Sequence, residues 1–267
     1  MPSPGSSSVI KLMQITDCHL FAHPGGRLMG VDTTLTLDWV MDLASSLERP
    51  DHLLLTGDLA QDGSVAAYQK LRDRVALIQD SSSWICGNHD NGLAMAEALA
   101  DTPEALVKCV RMGPWQVLML HSQVEGEVGG WLAESELELV ERCLREFGGH
   151  SLICMHHHPL AIDSQWMDRI AIGNREQLWE RLAFARGSVV LLCGHVHQQQ
   201  ELERQGITML STPATCFQFA PLGEAFGVTS EMPGLRTIEL HDDGSVVSEV
   251  HRVSPRELTI NRELMGY

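Results

Sequence analysis

The 267-residue chain is short of positive charge: 19 Lys and Arg stand against 35 Asp and Glu, a net of 19 − 35 = −16. Nucleic-acid binding draws on a basic surface that neutralises phosphates, so no nucleic-acid partner is expected. A small anionic substrate stays open, provided something locally positive receives it. Also lacking is any run of about 18 apolar residues, the length a membrane-spanning helix needs, so no membrane partner is expected. Residues 1–8, rich in Pro, Ser and Gly, have neither the basic start nor the apolar block of a secretory signal. They read as a short disordered lead-in to one domain over residues 9–267. Closely spaced cysteines are missing too: of Cys18, Cys86, Cys109, Cys143, Cys154, Cys193 and Cys216, no two lie nearer than 11 residues. An odd count with no C-x-x-C pair disfavours a disulfide framework or a zinc knuckle and suggests a reducing, cytoplasmic setting. The remaining composition, 44% hydrophobic and 20% charged, is that of a globular protein long enough to bury a sizeable core.

Apolar runs recur at Val9–Thr16, Leu53–Thr56, Trp84–Cys86, Val117–Leu120, Leu152–Met155 and Val189–Cys193. Their near-continuous hydrophobicity predicts strands buried on both faces. Between them Asp32–Glu48, Val65–Ile78, Ser135–Phe147 and Arg175–Arg186 read as helices. The third carries a capping-box pattern in Ser135 and Glu138, and Asn174 is placed to cap the fourth. Arg236–Leu240 and Val246–Val253 flank Asp242-Asp243-Gly244 as a hairpin. The order predicts an α/β, or mixed α+β, sandwich. The segment Pro159–Arg175 breaks the rhythm and reads equally as a short lid or as surface packing.

Five polar motifs each follow one of these runs: Asp17-Cys18-His19, Gly57-Asp58, Gly87-Asn88-His89-Asp90, His156-His157-His158-Pro159 and Gly194-His195-Val196-His197. They hold seven of the 13 histidines. Ligands of an open α/β sheet gather beyond the carboxyl ends of its strands, so five such ends can converge on one crevice. In an extended segment residues i and i+2 project to the same side. On that geometry Asp17 and His19 grip one ion while Cys18 packs away from it, and His195 and His197 do the same around Val196. Gly57, Gly87 and Gly194 precede candidate ligands, where a missing Cβ permits close backbone approach. Carboxylate, imidazole and amide oxygen together suit Fe²⁺ or Mn²⁺, with Zn²⁺ also allowed, better than a thiolate-loving ion. Singly, D-x-H and Gly-Asp are weak signals that ordinary turns also produce. Jointly and in this order they make a metal centre the expectation.

The ordered set resembles the calcineurin-like metallophosphoesterase superfamily. The segments QITDCHLF, GDLAQDGS, GNHD, MHHHPL, CGHVHQ, STPATCFQF and RTIELHDDGSVVSEVHR resemble its bacterial class III cyclic-AMP phosphodiesterases over residues 14–252. The resemblance implies a four-layer α/β/β/α sandwich with two divalent metal ions. It implies that Asp17, His19 and His197 hold the first ion, that Asp58 bridges both, and that Asn88, His157 and His195 complete the second. The family's H-x-P pattern selects His157, leaving His156 and His158 as supporting or substrate-side groups. His89 would contact the phosphate and protonate the leaving oxygen, with Asp62 or Asp90 orienting it. Asp58 and Asn88 share the catalytic duty with His89, and His19, Asn88, His89 and His197 border the substrate. The reaction implied is in-line attack of a metal-bridging hydroxide on 3′,5′-cyclic AMP. Two ions bring +4 against the −2 of Asp17 and Asp58, which gives a phosphate its locally cationic crevice.

Two departures from the family pattern stand out. His121 stands where the family commonly has Asp, and Cys18 replaces Thr or Ser. For the nucleoside, Ser211–Phe217 offers hydroxyls and an aromatic ring, Trp166 and Asp168 lie in the 159–175 segment, and Leu20, Phe21 and His23 follow the first motif; for each residue taken alone, packing at the domain edge is at least as good a reading. Competing readings are a broader phosphodiesterase, acting on 2′,3′-cyclic nucleotides or glycerophosphodiesters, and a non-catalytic interaction module. Oligomeric state is left open.

Overall fold

A computed structural model describes residues 9–262; the lead-in expected over residues 1–8 lies outside them. In chain order the strands are β1 (Ile10–Ile15), β2 (Arg27–Leu28), β3 (Val31–Asp32), β4 (His52–Thr56), β5 (Ser82–Ile85), β6 (Cys109–Met112), β7 (Trp115–Met119), β8 (His150–Met155), β9 (Val189–Cys193), β10 (Gln200–Arg204), β11 (Ile207–Ser211), β12 (Gly234–Leu240) and β13 (Val246–Arg252). The helices are α1 (Thr33–Ser46), α2 (Val65–Val75), α3 (Gly92–Ala98), α4 (Glu134–Glu146), α5 (Gln165–Asp168) and α6 (Arg175–Leu182). One sheet runs β13-β12-β1-β4-β5 and the other β10-β11-β9-β8-β7-β6; β2 and β3 form a small ribbon. The pairs β1–β4, β4–β5, β7–β8, β8–β9 and β9–β11 are parallel, and β1–β12, β12–β13, β10–β11 and β6–β7 are antiparallel.

Strand alternation sorts the apolar residues into three buried layers. Leu12, Leu54, Trp115, Leu152, Val190 and Leu192 pack between the sheets. Met13, Ile15, Leu53 and Leu55 face outward onto α1 and α2 through Leu37, Val40, Tyr68 and Leu71. Ile153, Met155, Leu191 and Cys193 face the opposite side onto α4 and α6 through Leu137, Val140, Leu178 and Leu182. Three layers of side chains between two sheets and two helical faces make the α/β/β/α sandwich. They also explain why the interior strands read as unbroken apolar runs rather than alternating ones.

Several local expectations change. The Ser135–Glu138 capping box does not form, because α4 begins one residue earlier, after Ala133, and has no side-chain cap. Glu134 and Glu136 provide its N-terminal negative charge instead. Asn174 occupies the N-cap of α6, but its amide is spent on Leu132 N, Leu132 O and Gln177. The 159–175 segment contains α5 and packs inward, with Trp166 edge-on to Phe219 and Phe226 and Met167 fully buried. No helix among the described residues is long and apolar enough to cross a membrane.

Candidate metal centre

The parallel strands β1, β4, β5, β8 and β9 deliver the five motifs to one end of the sandwich. There the chain leaves extended geometry: Asp17 (φ 55), His19 (φ 46), Asp58 (φ 51), His195 (φ 67) and His197 (φ 46) are all left-handed. The i, i+2 residues therefore sit on two tight kinks rather than in extended segments, and His195 and His197 fall in different close-set donor groups, His197 with His19 and His195 with His156 and His157. Cys18 and Val196, the middle residues, are buried in the two outer cores. Backbone bonds between the loops hold the kinks, with Asp17 N donating to Gly57 O at 3.0 Å and His19 N to Asp58 O at 2.9 Å. His195 N reaches the Asp17 carboxylate at 3.0 and 3.1 Å, joining the two sheets. At Gly87 a Cβ would lie 2.2 Å from Asp58 Oδ1, and at Gly194 2.2 Å from Thr16 Oγ1, so neither position admits a side chain.

The tautomers of three imidazoles follow from their outer hydrogen bonds. His19 Nδ1 donates to Gln61 Oε1 at 2.7 Å, His197 Nδ1 to Phe217 O at 2.8 Å, and His156 Nδ1 to Thr56 O at 2.9 Å. Each Nε2 therefore turns a lone pair inward. His19 Nε2 and His197 Nε2 lie 3.2 Å apart, His197 Nε2 is 3.4 Å from Asp17 Oδ1, and His156 Nε2 is 3.3 Å from Asp58 Oδ2. The His19 and His197 lone pairs and the Asp17 oxygen at such separations, fully buried, repel unless a cation lies among them, a proton or a metal ion; at His156 a proton on Nε2 makes the approach to Asp58 attractive. Asn88 Oδ1 and His195 Nε2 are buried with no hydrogen-bond partner, which costs on the order of 1–3 kcal/mol each unless another ligand satisfies them. Close-set donor groups include Asp17–Asp58–His156, His19–Asp58–His89 and His156–His157–His195. The donor set fits divalent ions on every count.

Charge regulation agrees. Burial opposes ionisation of Asp17 and Asp58, yet His197 beside the first and His156 beside the second hold both carboxyls below their usual range. Burial drives His19 down to about 3 and His195 well below its ordinary value, keeping both in the neutral form that ligates metal. His156 moves the other way, up to about 9: against its burial, Asp58 and Asp17 demand a positive charge at that nitrogen.

Within the histidine triplet, His156 and His157 both fall in a close-set donor group with His195. His157 Nδ1 bonds Ser122 Oγ at 2.8 Å and its Nε2 lies 3.1 Å from Val128 O, so both of its nitrogens have protein partners, whereas His156 Nε2 faces Asp58 at 3.3 Å. The cause is strand parity. In β8, Leu152 and Cys154 face between the sheets and Ile153 and Met155 face outward, so the next inward residue is His156. The parity of the run before the motif favours His156, and the H-x-P spacing favours His157. His158 approaches Asp168 at 3.5 Å and stacks on His195, behind the donors.

His89 sits at the rim, half-buried with Asn88, its ring edge-on to His19 at 5.1 Å. Neither Asp62 nor Asp90 orients it. Asp62 accepts from Ala22 N and Ser64, and Asp90 accepts from Leu59 N, Ala60 N, Gly87 N and Tyr68 OH, tying the second and third loops together. The contact to His89 Nδ1 comes from Gln61 Nε2 at 3.1 Å. Sequence reasoning missed Gln61, which sits in plain view inside GDLAQDGS. It also missed Cys216, whose Sγ lies among the His19 and His197 donors. That thiol donates to Asp17 O at 3.4 Å, and burial with the Asp17 charge pushes it far up, so it packs as a protonated neighbour. His121 is not brought into the donor groups; its amide bonds Glu136. Ser211–Phe217 is wholly buried, with the Ser211 hydroxyl on Gln198 O and Thr212 on Gln14, so those two hydroxyls are spent on the fold. Leu20 is buried, Phe21 partly so and His23 exposed.

Comparison with known proteins agrees with this geometry. Residues 10–199 match the family model of the calcineurin-like phosphoesterases. The chain is 39% identical to the 3′,5′-cyclic adenosine monophosphate phosphodiesterase CpdA of Escherichia coli K12, covering 100% of this chain and 98% of that protein. It is 36% identical to the CpdA of Pseudomonas aeruginosa over 99% and 98% of the two chains. Among solved structures, a dimetal phosphatase from Danio rerio shares the fold, with a TM-score of 0.63 at 12% identity over 92% of this chain and 99% of that one. The five motifs, the four-layer sandwich and the full-length similarity place this chain in the calcineurin-like phosphoesterase family.

Proposed function

We propose that the chain hydrolyses 3′,5′-cyclic AMP to 5′-AMP at a centre of two divalent ions, Fe²⁺ or Mn²⁺ foremost and Zn²⁺ third. The observation that carries the reading is the buried convergence of imidazole lone pairs and two carboxylates. The full-length similarity to proteins named as cyclic-AMP phosphodiesterases supplies the substrate. In this assignment Asp17, His19 and His197 hold one ion, Asn88, His156 and His195 hold the other, and Asp58 lies between them. His156 takes the place that the H-x-P spacing gives to His157. Bound there, the ions supply positive charge for the phosphoryl oxygens and a water of lowered pKa.

The protein's own groups provide the rest. Because Gln61 Oε1 accepts from His19, its amide nitrogen must donate to His89 Nδ1, which leaves the His89 proton on Nε2. His89 then holds that proton on a buried nitrogen of a half-buried residue, where it serves the departing sugar oxygen as a general acid. Asp58 Oδ1 accepts from His89 N at 2.9 Å and fixes the backbone that carries both His89 and Asn88. The unpaired cysteines fit a reducing, cytoplasmic setting.

A broader specificity, including 2′,3′-cyclic nucleotides, is favoured by one observation: the hydroxyls and ring of Ser211–Phe217 are buried. Metal-supplemented hydrolysis of 3′,5′-cyclic AMP, 2′,3′-cyclic AMP and an aryl phosphodiester, with Asn88→Ala as control, tests both readings. Strong preference for the first substrate, lost in the variant, is expected. Turnover of the other esters alone would overturn the cyclic-AMP assignment.

A further inference from the structure

Between the two sheets an apolar layer gives way to a polar one directly beneath the metal centre. Leu12, Leu54, Leu192, Leu210 and Ile238 face the gap. Residues two apart on a strand share a face. Two residues nearer the donors, the same strands carry Gln14, Thr56, Gly194, Thr212 and Arg236, all buried. An apolar layer would fill the same gap with no donor or acceptor left to satisfy, so the polar one calls for a reason other than stability.

Gln14 and Arg236, cross-strand neighbours on β1 and β12, tie the sheets together. Gln14 Nε2 donates to Thr56 Oγ1 in its own sheet at 2.7 Å and, across the gap, to Cys193 O at 3.1 Å. Its Oε1 accepts from Thr212 Oγ1, again across the gap. Arg236 Nε donates to that same hydroxyl at 3.2 Å and its Nη2 to Ser211 O at 2.7 Å, while Nη1 returns to Ser248 Oγ on β13 at 2.8 Å. These partners are all neutral oxygens, so the guanidinium is placed by geometry and not by a carboxylate.

The ties lead to the donors. Thr56, whose hydroxyl Gln14 holds, accepts from His156 Nδ1 through its carbonyl at 2.9 Å. Thr16, two residues beyond Gln14, donates from Oγ1 to Asp17 Oδ2 at 2.7 Å. Each set of donors assigned above also draws on both sheets: Asp17 and His19 with His197, and Asn88 with His156 and His195. The spacing of the sheets at this layer therefore sets the spacing of the donors.

We propose, on the two-ion reading given above, that Gln14 and Arg236 are positioning residues of the metal centre. Acting through Thr56, Thr212 and the Cys193 carbonyl, they hold the two sheets at the separation that gives the donors their affinity for divalent ions.

The test is calorimetric titration of Mn²⁺ into the chelator-treated full chain, beside denaturant unfolding of the metal-free protein. Gln14→Leu and Arg236→Met fill the layer and remove the ties. Gln116→Leu is the control: Gln116 is equally buried and bonds Ser151 Oγ at 2.9 Å and Cys143 O at 3.2 Å, but on the outer face of its sheet, against α4. The Mn²⁺ dissociation constant is expected to rise about tenfold or more in Gln14→Leu and Arg236→Met, the scale of losing a group that orients a ligand. Gln116→Leu is expected to lower the unfolding midpoint with wild-type Mn²⁺ affinity. Gln14→Asn keeps an amide in the layer but is one methylene too short to span Thr56 and Cys193 O together, so it reads the same effect if the leucine variant does not fold. Wild-type Mn²⁺ affinity in folded Gln14→Asn, or in Gln14→Leu and Arg236→Met with only their unfolding midpoints lowered, would overturn the proposal, as would an equal loss in Gln116→Leu. A wild-type chain that takes up no Mn²⁺ would overturn the two-ion reading itself, and the positioning role with it.

Discussion

Replacing Gln61 separates the two duties that its amide performs. The oxygen accepts from His19 Nδ1 at 2.7 Å and so keeps the inward lone pair on a candidate ligand; the nitrogen reaches His89 Nδ1 at 3.1 Å and so keeps the outward proton on the candidate acid. Gln61→Ala removes both bonds. At about 0.5–1.5 kcal/mol net for each hydrogen bond, the pair amounts to roughly 1–3 kcal/mol, or about fivefold to 150-fold. Loss of a partner behind a metal-bound imidazole is worth about 10–100-fold in affinity or activity, so the two scales agree. Gln61→Glu divides the effect. Its carboxylate still accepts from His19, so metal affinity should stay close to wild type. It cannot donate to His89, whose proton must move to Nδ1, so turnover should fall about a hundredfold even at saturating metal. Calorimetric metal titration of the chelator-treated protein, beside kcat on the loaded protein, reads the two effects apart. Gln61→Glu turning over within about twofold of wild type would refute the tautomer argument, whatever Gln61→Ala does.

Three further outcomes follow from the same coordinates. His156→Ala should lose one of the two bound ions in a metal-content assay. His157→Ala should keep both ions and instead lower stability by about 2–4 kcal/mol through the cavity and the orphaned Ser122 hydroxyl; ion loss confined to His157→Ala would restore the H-x-P register. Gly87→Ala would set a Cβ 2.5 Å from Asp58 N and 2.2 Å from Asp58 Oδ1, so it should abolish turnover and cost about 1–3 kcal/mol in a denaturant titration. Burial lowers His52 from 6.5 to about 4, between Ser81 and Ser83. The unfolded chain therefore takes up a proton that the folded chain refuses, and stability should fall as pH drops from 6.5 to about 4, then level off. His52→Gln should flatten part of that slope in pH-dependent unfolding, by about 2–3 kcal/mol across the window.

The legible parts of this molecule are those where one residue type answers to one physical demand. Parallel strands buried on both faces have to be apolar throughout, so Leu53–Thr56 and Val189–Cys193 announced themselves. β10 did not: QELER is a half-exposed edge strand whose alternation is polar, and α3 is too short to show a period. The ligand positions were legible as strand-end motifs, but the choice within His156-His157-His158 was not, because three identical side chains carry no chemical contrast. Only the inward or outward parity of β8 distinguishes them. The Ser211 and Thr212 hydroxyls, for which the sequence left substrate contact and packing both open, show the opposite case. Their chemistry suits a substrate, yet the gap between the two sheets holds a buried Arg236 that claims Thr212 Oγ1 and Ser211 O, and Thr212 in turn meets Gln14. A motif shows what a residue can bond, and packing decides which partner reaches it first.

The backbone at the centre explains why such a site needs this much fold around it. Among the described residues, nine that are not glycine adopt positive φ, and five of them are Asp17, His19, Asp58, His195 and His197. Each such conformation costs on the order of 1–3 kcal/mol and persists only where its surroundings over-determine it. Here they do so twice over. The loops after β1 and β4 bond each other from Asp17 to Gln61, with Leu20 N donating to Leu59 O at 3.1 Å and Gln61 N to Leu20 O at 2.8 Å. The Asp17 and Asp90 carboxylates pin the loops of the other strands to them. That scaffold brings like-charged oxygens and imidazole lone pairs closer than they would settle on their own. The strain is then a measure of preorganisation: the fold bears the cost of crowding the donors, and a cation arriving among them relieves repulsion already present instead of having to assemble its own site.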